Sequence, residues 1–205
     1  MAKVSIDSLA SATLEGIGEA HREYEALSHG DWVWSAAEYY LTVHVARSIG
    51  AIKGAPPVTI ESNRAGAVSD AGAEVPGPRP KQARLNGRCD LVVWWQDYTP
   101  RALIEIKRQP GGRTSWIGDV ITMKSLLRRG AGVSSLQFGA FAYYVSAVDG
   151  SRKSAQEKVE SKFMSMYQGF RDECEPGYSV NCYNSDVHCV GSDAWGASCL
   201  VTRKH

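Results

Sequence analysis

The chain has no apolar run approaching the ~20 residues that a bilayer-spanning helix needs, which excludes an integral α-helical membrane protein. It has no charge excess: 23 Lys and Arg stand against 22 Asp and Glu, a net +1. Nucleic-acid binding through a broadly basic surface is therefore excluded, and any such contact must come from a local patch. None of its five cysteines forms a Cys-x-x-Cys pair, and four of the five (Cys174, Cys182, Cys189, Cys199) crowd the C-terminal end. That spacing is wrong for a zinc site and suits buried free thiols on C-terminal strands. The N-terminal Met-Ala-Lys-Val-Ser-Ile-Asp lacks the apolar segment of a secretion signal, so a cytoplasmic protein is expected. No Ser/His/Asp constellation stands out, and Gly-Gly-Arg-Thr at 111–114 lacks the Lys and spacing of a phosphate loop. What remains is an ordinary globular composition, 43% hydrophobic and 22% charged, long enough for one well-cored domain spanning 1–205.

The informative stretch is 87–109. Two β-branched and aromatic runs, 91–95 and 102–106, flank the polar, Pro-containing segment 96–101. This pattern predicts a β-hairpin with a loop longer than the tightest type. Side chains alternate across a strand, so Leu103, Glu105 and Lys107 share one face and Ala102, Ile104 and Ile106 the other. Asp90 opens the preceding strand and reaches the same edge. Two carboxylates and a lysine should converge where a sheet meets solvent.

Asp90, then a hairpin, then Glu105-Ile106-Lys107 in a hydrophobic strand resembles the PD-(D/E)xK nuclease superfamily, with its restriction-endonuclease-like fold. The Gly-Arg-x-Asp lead-in at 87–90 resembles bacterial and phage members; Cys89 stands where the superfamily's usual Pro would be. The resemblance implies an α/β domain with a central mixed sheet flanked by helices, its core motif in 87–148. It implies a Mg²⁺- or Mn²⁺-dependent nuclease acting on DNA in preference to RNA. Carboxylate oxygens suit such hard cations. Asp90 and Glu105 would be metal ligands, the Ile106 carbonyl a third, and Lys107 would orient the attacking water. A non-catalytic nucleic-acid- or protein-binding module on the same fold is the alternative. An unrelated α/β domain with a coincidental Glu-x-Lys is a third reading.

Residues 1–50 read as two helices, 8–27 and 31–49, with Gly16 and Gly18 weakening the first and Asp31 placed to cap the second. Trp34, Leu41, Val45 and Ile49 fall on one face of the second, and Glu38 sits inside that stripe. A carboxylate there needs a partner. It is either a structural ion pair to a core-edge cation such as Arg88, or an acid aimed at Asp90 and Glu105. The superfamily resemblance favours the second role, as a further metal ligand. His44 on the same helix reads as a packed or surface residue.

Residues 58–61 suit a short strand. The stretch 65–81, dense in Gly, Ala and Pro, reads as a flexible loop that either closes over a substrate or simply covers surface. Thr114 or Ser115 should cap a helix running to Arg129, with Trp116, Val120, Met123 and Leu127 as its apolar face. Lys124 and Arg128, four apart, with Arg108 and Arg113, form either a nucleic-acid-binding patch or an ordinary solvated surface. Residues 136–148 predict a central strand buried on both faces. Ser154-Ala155-Gln156-Glu157 is a capping box, opening a helix whose core face is Val159, Phe163, Met166 and Phe170. Short strands at 178–183, 187–190 and 197–202 should close the sheet. With no separate DNA-reading module, a homodimer or a partner subunit is expected to hold a duplex.

Overall fold

The computed structural model describes residues 4–74, 83–128, 132–174 and 176–204. Helices α1 (Ile6–Ser28) and α2 (Glu38–Gly50) come first, then strand β1 (Val58–Asn63) and helix α3 (Arg64–Asp70). The hairpin is β2 (Arg88–Trp94) and β3 (Pro100–Arg108), followed by α4 (Ile117–Leu126) and β4 (Phe138–Val148). Helix α5 (Ala155–Cys174) and strands β5 (Tyr178–Asn184), β6 (His188–Val190) and β7 (Asp193–Lys204) complete the chain. The seven strands form one mixed sheet in the order β1-β2-β3-β4-β7-β5, with β6 on β7. Among the described residues only β3 and β4 run parallel; the long connection through α4 makes that crossover possible. This is an α/β architecture, a single mixed sheet with helices on both faces. No helix among the described residues is long and apolar enough to cross a membrane.

Alternation along the strands sorts the core into two layers. Leu103, Phe141, Tyr143 and Leu200 face α3, α4 and α5; Ile104, Ile106, Ala142 and Tyr144 face α1 and α2. β4 is buried on both faces, which explains its unbroken apolar sequence. The capping box forms: Ser154 N–H donates to Glu157 Oε2 at 2.8 Å and Glu157 N–H to Ser154 Oγ at 3.2 Å. His44 is packed, 4% exposed, against Tyr40. Gly16 is required by packing rather than a weakness. A Cβ there would lie 2.6 Å from Val45 Cα, so the absent side chain lets α1 and α2 touch through their backbones.

Several expectations are corrected. Helix α2 begins at Glu38, not at Asp31, and no side chain caps it. Residues Val33–Ser35 form a 3₁₀ turn, and Ala36 and Ala37 are extended. The Arg108 guanidinium binds the Trp34 and Ala36 carbonyls, a long-range contact that holds this approach out of the helix. Trp34 is consequently off the helix and 51% exposed. The first part of the expected loop is helix α3, capped by Asn63, whose Oδ1 accepts from Gly66 N–H at 2.9 Å. Residues 75–81 of that loop lie outside the described residues, as does Arg129 at the expected end of α4. Helix α4 starts at Ile117, because Ser115 Oγ donates back to the Gly112 carbonyl instead of capping. Of the C-terminal thiols, Cys199 is buried on a strand, but Cys174 is on a helix, Cys182 half-buried and Cys189 exposed.

Candidate active site at the open end of the hairpin

The two hairpin strands pair from Trp94↔Pro100 to Leu91↔Ile104 and then part. Beyond that point β2 continues along β1, with Cys89 opposite Ser62, while β3 continues along β4 as far as Arg108↔Tyr144. The parting leaves the Ile106 N–H without a strand partner. Asp90 supplies one: its Oδ2 accepts from Ile106 N–H at 2.7 Å. The carboxylate is thus fixed at the fork by a main-chain bond, an arrangement that follows from Asp90 standing where the ladder ends.

Glu105 lies next to it on β3, only 8% exposed. Its partner is Arg64, which no motif indicated: Nη2 donates to Glu105 Oε1 at 2.8 Å. Arg64 also donates to the Arg88 carbonyl at 2.7 Å and the Arg84 carbonyl at 3.1 Å, so α3 is stapled to the start of β2. Burial, and then the charge of Asp90, push Glu105 well above the ordinary carboxylate range, against the pull of Arg64. Asp90 is raised too, by burial first, while the Ile106 N–H and Lys107 pull it down. The ion pair is unequal. Burial opposes Arg64's charge too, but Glu105, the Cys89 thiol and its other contacts outweigh it and hold Arg64 charged. Glu105, beside a second carboxylate, resists ionisation.

Lys107 shares the Glu105 face of β3. Its Nζ donates to Glu38 Oε1 at 3.0 Å. Burial disfavours its charge, yet Glu38, Asp119 and Asp90 outweigh that and raise its pKa. Glu38 is the first residue of α2, in the helix layer on the other side of the sheet, and reaches β3 around its end. Its second oxygen accepts from Arg108 N–H at 3.2 Å. Glu38 therefore stands half-exposed beside Lys107 rather than inside an apolar stripe, and its partner is Lys107, not Arg88. Its charge still reaches Asp90, as does that of Glu61, which adopts a left-handed φ of 52° on β1.

The four expected basic residues do not form one patch. Arg113 pairs with Glu173 at 2.7 Å, and Lys124 approaches the same carboxylate at 3.8 Å. Arg128 is exposed near Tyr178, whose hydroxyl donates to the Lys124 carbonyl at 3.0 Å. Arg108 lies apart from these, over the Trp34–Ala36 segment. Besides Arg64, sequence reasoning missed Asp119. It stands in the first turn of α4, 3.7 Å from Arg84, and its charge reaches both Glu105 and Lys107. An acid in a first helical turn is ordinary dipole complementarity, so nothing local distinguished it. For Arg64 the local signal was the Asn63 cap alone.

Asp90 and Glu105 present hard oxygen donors with charge in excess of their one direct cation, which is the chemistry a Mg²⁺ or Mn²⁺ ion fits. Ile106 stands next to Glu105 on the same strand, its N–H already held by Asp90. Glu38 is turned to Lys107, and among the described residues no group of three or more Asp, Glu, His or Cys is arranged around one point. No family model, no curated protein and no solved structure matches the chain.

Proposed function

We propose that this chain is a cytoplasmic, metal-dependent nuclease of restriction-endonuclease-like fold, hydrolysing phosphodiester bonds in DNA in preference to RNA. The observation that carries the reading is the fork between β2 and β3, where Asp90 and Glu105 are close enough to perturb one another and Lys107 stands two residues on. A Mg²⁺ or Mn²⁺ ion held by Asp90 and Glu105 would activate water and neutralise phosphate charge. Lys107, held charged, would orient the nucleophilic water and stabilise charge developing on the phosphate. Glu38 positions Lys107, and Arg64 positions Glu105. The expected assembly is a homodimer or a complex with a partner subunit, checked by light scattering.

A non-catalytic binding module on this fold is the second reading, favoured by the Arg64–Glu105 and Lys107–Glu38 pairs, which already give Glu105 and Glu38 a cation each. Hydrolysis of plasmid and single-stranded DNA with Mn²⁺, against an EDTA control, separates the two. Asp90→Ala, Glu105→Ala and Lys107→Ala should each abolish cleavage while circular dichroism shows a folded domain. Full cleavage by Glu105→Ala removes the nuclease assignment.

A further inference from the structure

At Gln109, two residues past Lys107, the surface is hollowed rather than flat. A cavity of about 590 Å³ is lined by Trp32, Trp34, Gln109 and Ser146, with Asp31 and Asp193 among its walls. That volume is within the usual range for a small-molecule site. Its floor is rigid: Gln109 Nε2 donates to the Ser146 carbonyl and Gln109 Oε1 accepts from Ser146 N–H, both at 2.8 Å. The Gln109 N–H donates to the Tyr144 carbonyl at 2.8 Å, locking a left-handed φ of 46°. Trp34 stands at the rim, 51% exposed, on a 3₁₀ turn whose carbonyls are held by Arg108. Half of this indole's surface is open to solvent on a backbone that Arg108 fixes, so its face is available to a planar group that enters the cavity.

Charge orders the surroundings. The Arg108 guanidinium binds carbonyls and forms no ion pair among the described residues, which leaves it able to meet a phosphate. Asp31 and Asp193 line the cavity without an ion pair among the described residues, so its walls carry negative charge. A phosphate is repelled from the interior and drawn to Arg108 at the rim. A neutral planar ring has the opposite preference: it can enter the cavity, stack on indole, and offer amino hydrogens to carboxylates.

We propose that this cavity receives one unpaired base of a single-stranded nucleic acid, stacked on Trp34, while the adjoining phosphate lies on Arg108. The inference deepens the nuclease reading and rests on it for where the strand runs next, past Lys107 toward the hairpin fork. A base in a Watson–Crick duplex cannot enter, so the site selects single strands, frayed ends or flipped bases.

The test is fluorescence anisotropy of a short labelled DNA strand, alone and annealed to its complement, in EDTA so that nothing is cleaved. Wild type, Trp34→Ala and Trp34→Phe are compared. The contact that holds Arg108 is made by the Trp34 carbonyl, which any residue retains, and circular dichroism checks that each variant is folded. Stacking on one aromatic predicts that Trp34→Ala weakens single-strand binding by about tenfold, that Trp34→Phe restores most of it, and that the duplex binds much more weakly than the single strand. Equal binding of the single strand by wild type and Trp34→Ala, or equal binding of single strand and duplex by wild type, overturns the proposal. Wild-type hydrolysis of bis(p-nitrophenyl) phosphate with Mn²⁺, a substrate with no base, is scored separately. Its absence beside Trp34-dependent binding sinks the nuclease reading and supports the base cavity.

Discussion

Replacing Glu105 with Gln removes one charge and keeps the shape and the ability to accept from Arg64. In the metal-free protein burial and Asp90 raise the Glu105 pKa from an ordinary 4.5 to about 7. A carboxyl whose folded pKa is raised binds its proton more tightly in the folded state. Its contribution to stability is full below the unfolded pKa and is lost as pH rises through the folded one. The window is therefore from about pH 4.5 to about pH 7. A shift of this size corresponds to about 3 kcal/mol, an upper bound because Asp90 titrates with it. Wild type should lose up to that much between pH 4.5 and pH 8, and Glu105→Gln should not. The variant should thus equal wild type in acid and exceed it near pH 8, by roughly 6–12 °C in Tm at the upper bound. Thermal denaturation in EDTA at the two pH values measures this. Mn²⁺ added near pH 8 should raise the wild-type Tm and leave Glu105→Gln unmoved, because the ion binds the charge that the variant lacks. A variant less stable than wild type at pH 8 would mean that the Arg64 pair outweighs the cost of the buried carboxylate, and would refute the account of the site given above.

Arg64→Leu should do the reverse: it strands Glu105 without its cation, costing about 3–5 kcal/mol near pH 8 and much less near pH 5, where Glu105 takes up a proton. Equal loss at both values in urea denaturation would show that Arg64 matters for its carbonyl contacts alone. Glu38→Gln should lower activity by loosening Lys107 while costing at most about 1 kcal/mol, since both partners are partly exposed. Unchanged activity with a clearly lowered Tm would make the pair purely structural. Gly16→Ala gains about 1 kcal/mol of helix propensity but forces α1 off α2, and should lose about 1–3 kcal/mol net; a raised Tm would count against the close backbone contact.

The hairpin, β4 and the α5 capping box were legible in the sequence because each depends on residues near one another in the chain. Alternation put Glu105 and Lys107 on one face before any contact was known, and the edge of an apolar run put Asp90 on the preceding strand, which in fact opens two residues earlier at Arg88. The partners of those residues were not legible. Arg64 lies 41 positions from Glu105 and Glu38 lies 69 from Lys107. No periodicity links such pairs, since only the fold brings α3, α2 and β3 to one place. Local propensity was also overruled where a distant group supplied more than the local rule. Asp31 lost its helix to the grip of Arg108 on the Trp34 and Ala36 carbonyls. The small residues after Asn63, a loop by composition, became helix α3 with Arg64 bonded to Glu105 and to two carbonyls at its start. Gly16, a flaw by helix propensity, became the point where two helices meet. Local pattern determined which side chains face together; the tertiary structure decided which charges they meet, because that depends on backbone brought close from far along the chain.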